Sequence, residues 1–261
     1  MNLLTAPQSL LDQFASLREH APETVGYFIA DSERVVQKLL ASGLTVESVL
    51  ATPEWYARHP DLATGEAVTY VADKEVLSRV VGFNLHQGVM ARARRPVQNT
   101  LAELAEGPLV IMDGIAKSEN VGAIVRNAAA FGIRHLLLGP DTCHPYNRRS
   151  VRVSMGNVFS MKVHQAPDLP AALATLKAHG VQIHVFENRP FARPLNEMTF
   201  PPRTAFVIGS EGTGVSQAIL DSADHFVRIP IDEVVYALNA ACASAVAFYE
   251  FTRQNGGRGA P

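Results

Sequence analysis

The chain has 261 residues, 47% of them hydrophobic and 18% charged, which supplies apolar material for folded cores and excludes global disorder. The opening MNLLTAPQSLLDQF lacks the basic and apolar regions of a signal peptide, and the longest uncharged stretch, 234–249, is too short and too polar to span a bilayer. A soluble, cytoplasmic protein is expected. A net charge of −2 with pI near 6.5 carries no global signature of a nucleic-acid binder; any such role must rest on local patches.

After an amphipathic opening with Leu10, Leu11, Phe14 and Leu17 at helical spacing, short apolar runs alternate with helical patterns. Residues 27–30, 46–51, 67–71 and 88–91 read as strands. A helix to Leu40, capped by Asp31 or Ser32, and another over 73–81 lie between them. This rhythm predicts a small α/β domain over 1–95. Residues 96–107 read as a linker with a short helix, preceded by the cluster Arg92, Arg94 and Arg95. A second α/β domain is expected over 108–255, with buried strands at 109–112, 135–138, 181–186, 205–208 and 226–229 and a long final helix over 238–253. The tail 256–261 reads as disordered. Cys143 and Cys242 lack the spacing of a zinc or redox motif, and Cys242, flanked by alanines, reads as a small core residue.

Three segments stand out. The turn Gly209-Ser-Glu-Gly-Thr-Gly-Val-Ser216 follows a strand and opens a helix, where α/β proteins bind cofactors. It has neither the lysine of a P-loop nor the spacing of a dinucleotide fingerprint. Glu211 would repel a phosphate there and suits a ligand that is neutral or cationic at that end. Asn120-Val-Gly-Ala-Ile-Val-Arg126 begins a helix that Asn120 can cap. Ile229-Pro-Ile231 ends a strand, and Leu238-Asn239 starts the final helix. Each segment taken singly could be an ordinary turn, cap or surface charge.

Together these segments resemble the SpoU/TrmH family of RNA ribose 2′-O-methyltransferases. An N-V-G-x-x-x-R-x-x-x-x-F-G pattern is met by Asn120, Val121, Gly122, Arg126, Phe131 and Gly132. An I-G-x-E-G-x-G pattern runs from Ile208 to Gly214. The I-P and L-N pairs of a third motif are Ile229-Pro230 and Leu238-Asn239, and Arg152-Val-Ser-Met-Gly156 resembles a further family segment. The front domain, through His86-Gln-Gly-Val-Met-Ala91, is similar to the ribosomal-protein-like RNA-binding domain of many members.

The resemblance implies an α/β parallel-sheet domain closed by a deep trefoil knot, a homodimer, S-adenosylmethionine as cofactor and RNA, ribosomal rather than transfer, as partner. Gly209, Ser210, Gly212, Ile229, Ile231 and Leu238 would hold the cofactor. Asn120, Arg126, Glu211 and Asn239 would surround the reacting hydroxyl, with Glu211 orienting Arg126. Arg92, Arg94, Arg95, Arg148, Arg149 and Arg152 would grip RNA, with Tyr146 stacking on a base. The chain departs from the family pattern at Ala237, where serine is usual, and in the acidic pair Asp232-Glu233. The alternative these departures raise is a member that has lost catalysis and keeps RNA affinity. No metal is implied.

Overall fold

The computed structural model describes residues 4–15, 26–59, 67–81, 88–232 and 234–256. His86 and Gln87 of the front-domain segment, Glu233, and residues 257–261 of the expected tail lie outside that set. Contacts divide the chain into one unit of residues 1–96 with 145–159 and another of 97–144 with 160–261.

The first unit is built on a sheet of order β1-β4-β3-β5-β2. Its strands are β1 (Leu4–Thr5), β2 (Tyr27–Asp31), β3 (Val46–Ala51), β4 (Val68–Val71) and β5 (Val89–Arg94). β1, β4 and β3 run parallel, while β5 pairs antiparallel with both β3 and β2. Alternation along the strands sends Ile29, Leu50 and Met90 to one face, where they meet Leu10, Leu11 and Phe14 of α1 (Gln8–Ala15) and Leu77 of α4 (Lys74–Val81). Val35, Val36 and Leu39 are the buried side of α2 (Glu33–Leu40). Ser32 occupies its N-cap position without a side-chain bond, and Asp31 is committed to an ion pair instead. A helix not foreseen, α3 (Pro53–Arg58), starts where Thr52 Oγ1 accepts from Trp55 N at 3.2 Å and Pro53 pre-sets the first turn.

Residues 145–159, expected inside the second domain, belong to the first unit, since Phe28 packs on Tyr146 and Phe159 at centroid distances of 4.8 and 5.6 Å. The Arg92–Arg95 cluster lies in the first unit, with Arg92 and Arg94 on β5 itself.

The second unit holds a parallel sheet of order β10-β12-β9-β11-β6-β7-β8. Its strands are β6 (Leu109–Asp113), β7 (His135–Leu138), β8 (Lys162–Gln165), β9 (Gln182–Phe186), β10 (Arg193–Pro194), β11 (Thr204–Gly209) and β12 (His225–Arg228). Leu109, Ile111, Ile183, Val185, Ala205 and Val207 face a core shared with Leu173 and Leu176 of α8 (Leu169–Ala178). On Phe206 rest Phe248 and Phe251 of α10 (Ala240–Gln254), edge-on at 5.3 and 5.4 Å. The same helix lies against α6 (Ser118–Ala130), where Asn127 Nδ2 donates to Ala241 O at 2.7 Å and Ser244 Oγ at 2.9 Å. The small residues of α10 admit that close approach; Cys242, expected in a core, is exposed.

The chain builds outward from β6 through β7 to β8, returns to the other side at β9, and then inserts β11 between β9 and β6. In register, Gly209 at the end of β11 is paired with Asp113 at the end of β6. The carboxyl ends of these two strands therefore mark the point where sheet order reverses, the place where open α/β sheets bind ligands.

Candidate functional site

Beyond Gly209 the chain makes a tight turn. Ser210 N donates to Gly214 O at 3.1 Å and Gly214 N donates back to Ser210 O at 2.9 Å, leaving Glu211, Gly212 and Thr213 exposed at the tip. Glycine is required at both ends. A Cβ on Gly209 would lie 2.4 Å from Gly214 C, and Gly214 has φ +72° with Glu187 Oε1 2.7 Å from where its Cβ would be. Two carboxylates that sequence reading missed anchor the turn from strand ends: Glu187 Oε1 accepts from Val215 N, and Asp113 Oδ2 from Ser216 N, both at 2.7 Å. An acidic residue at the carboxyl end of a buried strand, as at Asp113, was the available signal.

The tip of this turn gathers Asn120, Glu211 and Asn239, which are widely separated in sequence. Asn239 is the N-cap of α10; its Oδ1 accepts from Ala241 N at 2.9 Å and Cys242 N at 3.4 Å. With that oxygen committed, Nδ2 donates to Asn120 Oδ1 at 3.1 Å and to Glu211 Oε1. Asn120 is not the cap of α6. The helix begins at Ser118 and Asn120 is buried in its first turn, with a hydrogen bond to Glu211. The other Glu211 oxygen accepts from Lys117 Nζ at 2.8 Å, a residue that sequence reading passed over. Lys117, with help from Asn120 and Asn239, holds the Glu211 carboxyl below its ordinary range, and Glu211 in turn raises the Lys117 ammonium.

Arg126, expected beside Glu211, is exposed on α6 with no hydrogen bond or ion pair recorded among the described residues. Glu211 therefore does not orient it here; Lys117 holds that oxygen. The expected cofactor-holding positions are a mixed set. Ser210 and Gly212 belong to the turn, where Ser210 Oγ accepts from Gly212 N at 3.3 Å. Ile229, Ile231 and Leu238 are all half-buried, on residues 229–232 and 235–239 that carry no regular secondary structure. Asn188 Nδ2 supports this second loop by donating to Tyr236 O at 2.9 Å.

The expected RNA-gripping residues are more dispersed in role. Tyr146 is buried, with its hydroxyl donating to Val158 O at 3.3 Å, so it cannot stack on a base; burial also raises its phenol above the ordinary range. Arg148 is buried in an ion pair with Asp31 at 2.8 Å, and Arg152 lies 3.8 Å from the same carboxylate with its side chain 47% exposed. Arg92 pairs with Glu47 at 3.2 Å and covers the Tyr27 ring at 3.9 Å, while Arg94 shares Glu47 at 3.0 Å and stays 69% exposed. Arg95 is half-buried and Arg149 exposed, each with its own partner contacts.

A parallel α/β sheet whose switch point collects two amides, a carboxylate and a lysine defines a ligand-binding α/β protein with a loop-built polar site. Residues 107–249 match the model of the SpoU rRNA Methylase family. An uncharacterized tRNA/rRNA methyltransferase of Mycobacterium bovis is 36% identical over 254 residues, covering 93% of this chain and 88% of the relative. The chain belongs to the SpoU rRNA methylase family, a family of RNA methyltransferases. A 23S rRNA (guanosine(2553)-2′-O)-methyltransferase of Bacillus subtilis is 28% identical over 225 residues, covering 85% of this chain and 87% of the relative. Among solved structures, an RNA methyltransferase of the TrmH family from Porphyromonas gingivalis, described as putative, superposes with TM-score 0.83 at 23% identity, covering 96% and 99% of the two chains. An AdoMet-bound rRNA methyltransferase from Sinorhizobium meliloti gives 0.82 at 21% identity, covering 97% of each.

Proposed function

We propose that this protein transfers a methyl group from S-adenosylmethionine to a ribose 2′-hydroxyl of structured RNA, ribosomal rather than transfer. The observation that carries this reading is the convergence of Asn120, Glu211 and Asn239 in one hydrogen-bonded cluster at the switch point, with Arg126 unpaired on the same helix as Asn120. The Bacillus subtilis relative, named for 2′-O-methylation of 23S rRNA, supports the choice of hydroxyl and RNA.

The residues present fit the donor. Half-buried Ile229, Ile231 and Leu238 offer apolar surface to an adenine, and backbone at 229–232 and 235–239 lies outside regular secondary structure. Ionised Glu211, the carboxylate of the cluster, disfavours a phosphate and suits a cation. S-adenosylmethionine supplies a methyl group activated on a sulfonium.

Everything else falls to the chain's own groups. Asn120, held by Asn239, accepts from the hydroxyl at its side-chain oxygen, the positioning on which such a displacement depends. Arg126 is not the base, because a guanidinium with pKa above about 12 stays protonated; it grips a neighbouring RNA phosphate through two parallel bonds. The hydroxyl proton leaves to water or to that phosphate. The first unit serves as RNA-binding domain, with Arg94, Arg149 and Arg152 the more exposed of the candidate arginines. A trefoil knot in the second unit and a homodimer are part of the proposal. β11 entering the sheet between two earlier strands supports the knot, and exposed Val246 and Tyr249 on α10 support the dimer. Among the described residues, no helix is long and apolar enough to cross a membrane.

Incubation with labelled S-adenosylmethionine and separated ribosomal and transfer RNA, followed by mapping of the labelled nucleotide, tests the reading. Label on a ribosomal ribose supports it, and label on a base overturns it. Retained RNA affinity without transfer would favour the catalytically lost alternative suggested by Ala237 and Asp232. Arg126→Lys keeps the charge and loses the fork, so turnover falls by on the order of tenfold or more; near-normal turnover would remove the clamp.

A further inference from the structure

We infer that Lys117 is a positioning residue of this site, holding the Asn120–Asn239 amide pair in place through Glu211. The inference rests on the function proposed above.

The geometry forms a chain of forced choices. The N–H groups of Ala241 and Cys242 claim Asn239 Oδ1, so Asn239 Nδ2 must face the site. That Nδ2 donates to Asn120 Oδ1 and so fixes the Asn120 amide with its oxygen toward Asn239. Glu211 accepts at both oxygens, from Asn239 at Oε1 and from Lys117 at Oε2. Asn239 and Lys117 thus meet on this one carboxylate, with Asn120 beside it. Were Glu211 to take up a proton it would become a donor itself, and one of the amides would have to turn; turning Asn239 would also uncap α10. The ionised state of Glu211 therefore locks the amides in the orientation that the α10 cap selects.

Lys117 supplies the positive charge facing Glu211. It sits at the N-cap position of α6 but makes no cap bond, and its chain crosses to the glycine turn instead. The other charge acting in this group is Glu119, which acts on Lys117.

The test follows the Glu211 carboxylate and the side-chain amides of Asn120 and Asn239 by NMR through an acid titration, in wild-type protein and in Lys117→Met and Lys117→Arg. In Lys117→Met the Glu211 titration moves up toward the ordinary carboxylate range and both amide signals shift, while Lys117→Arg keeps them near wild type. In methyl-transfer assays, Lys117→Met lowers kcat by on the order of tenfold, raises KM for RNA and moves the acid limb of the pH profile upward; Lys117→Arg restores most of it. A Glu211 titration and amide signals unchanged in Lys117→Met overturn the inference, as does an arginine variant no better than methionine. If the wild-type protein transfers no methyl group to RNA, the proposed function fails, and the NMR comparison still decides the role of Lys117.

Discussion

Asp31 and Glu211 are both carboxylates met by cations from distant stretches of chain, in opposite settings. The Asp31–Arg148 pair is sealed inside the first unit, with side-chain exposures of 5% and 9%. Glu211 and Lys117 are 32% and 71% exposed, and two amides complete the cluster. A buried pair matters for stability mainly because neither partner can be left alone. An exposed pair contributes little to stability, since water and salt screen it. An ordered, solvent-facing polar cluster at a strand switch point therefore points to a ligand, and a buried arginine of the same formal charge does not.

The largest effect that sharpens this contrast is expected at Arg148. Replacement by alanine strands Asp31 in the core and costs about 3–5 kcal/mol of unfolding free energy, toward the lower end because Arg152 stands 3.8 Å away. Denaturant unfolding with m unchanged would measure it, and a change below about 1 kcal/mol would show that the pair is not the structural element described.

A buried titratable group whose burial outweighs its counter-charge comes next. His184 is pushed down to about 4, first by burial and then by His225, while Asp224 and the Gln182 carbonyl act the other way. Because the folded value lies below the unfolded 6.5, the stability from keeping this ring neutral is complete above about pH 6.5 and lost as pH falls toward 4. His184→Phe should flatten that part of the stability-versus-pH curve, and an unchanged slope would assign the loss to other groups.

Asn239→Ala separates the two roles of one residue. Loss of the cap costs about 1 kcal/mol, yet methyl transfer should fall by on the order of a hundredfold, because the amide also belongs to the cluster. Proportionate losses in stability and activity would reduce Asn239 to a cap. The smallest expected change in stability is at Glu211→Gln, whose unfolding midpoint should match wild type while activity drops. A clear loss of stability would place Glu211 in the same class as Asp31 and break the comparison.

How much of this was legible depends on the length scale of each cause. The inner strands β6, β7, β9 and β11 were readable because strands covered on both faces are nearly continuous apolar runs. β8, with the sequence Lys-Val-His-Gln, and the two-residue β10 lie at the sheet edges and have no such run; only pairing with β7 and β12 makes them strands. Asn120 was read as a cap because asparagine favours that position, but its amide is held in a cluster one turn further on. Asn120, Glu211 and Asn239 were found through local motifs, whereas the role of Lys117 depends on a partner 94 positions away.

The amino-acid sequence by itself determined the strand-and-helix alternation, the glycine turn at 209–214 and the family, because these follow from periodicity, backbone freedom and residue identity at fixed local spacing. Tertiary structure alone decided which charges are available. Arg148, Arg152 and Tyr146 looked alike as RNA-binding candidates, but folding buried Arg148 against Asp31 and Tyr146 against Phe28, leaving Arg152 half exposed. The difference is set by solvent exposure and by partners far along the chain. A side chain's desolvation and its nearest opposite charge exist only once the strands have been placed in order.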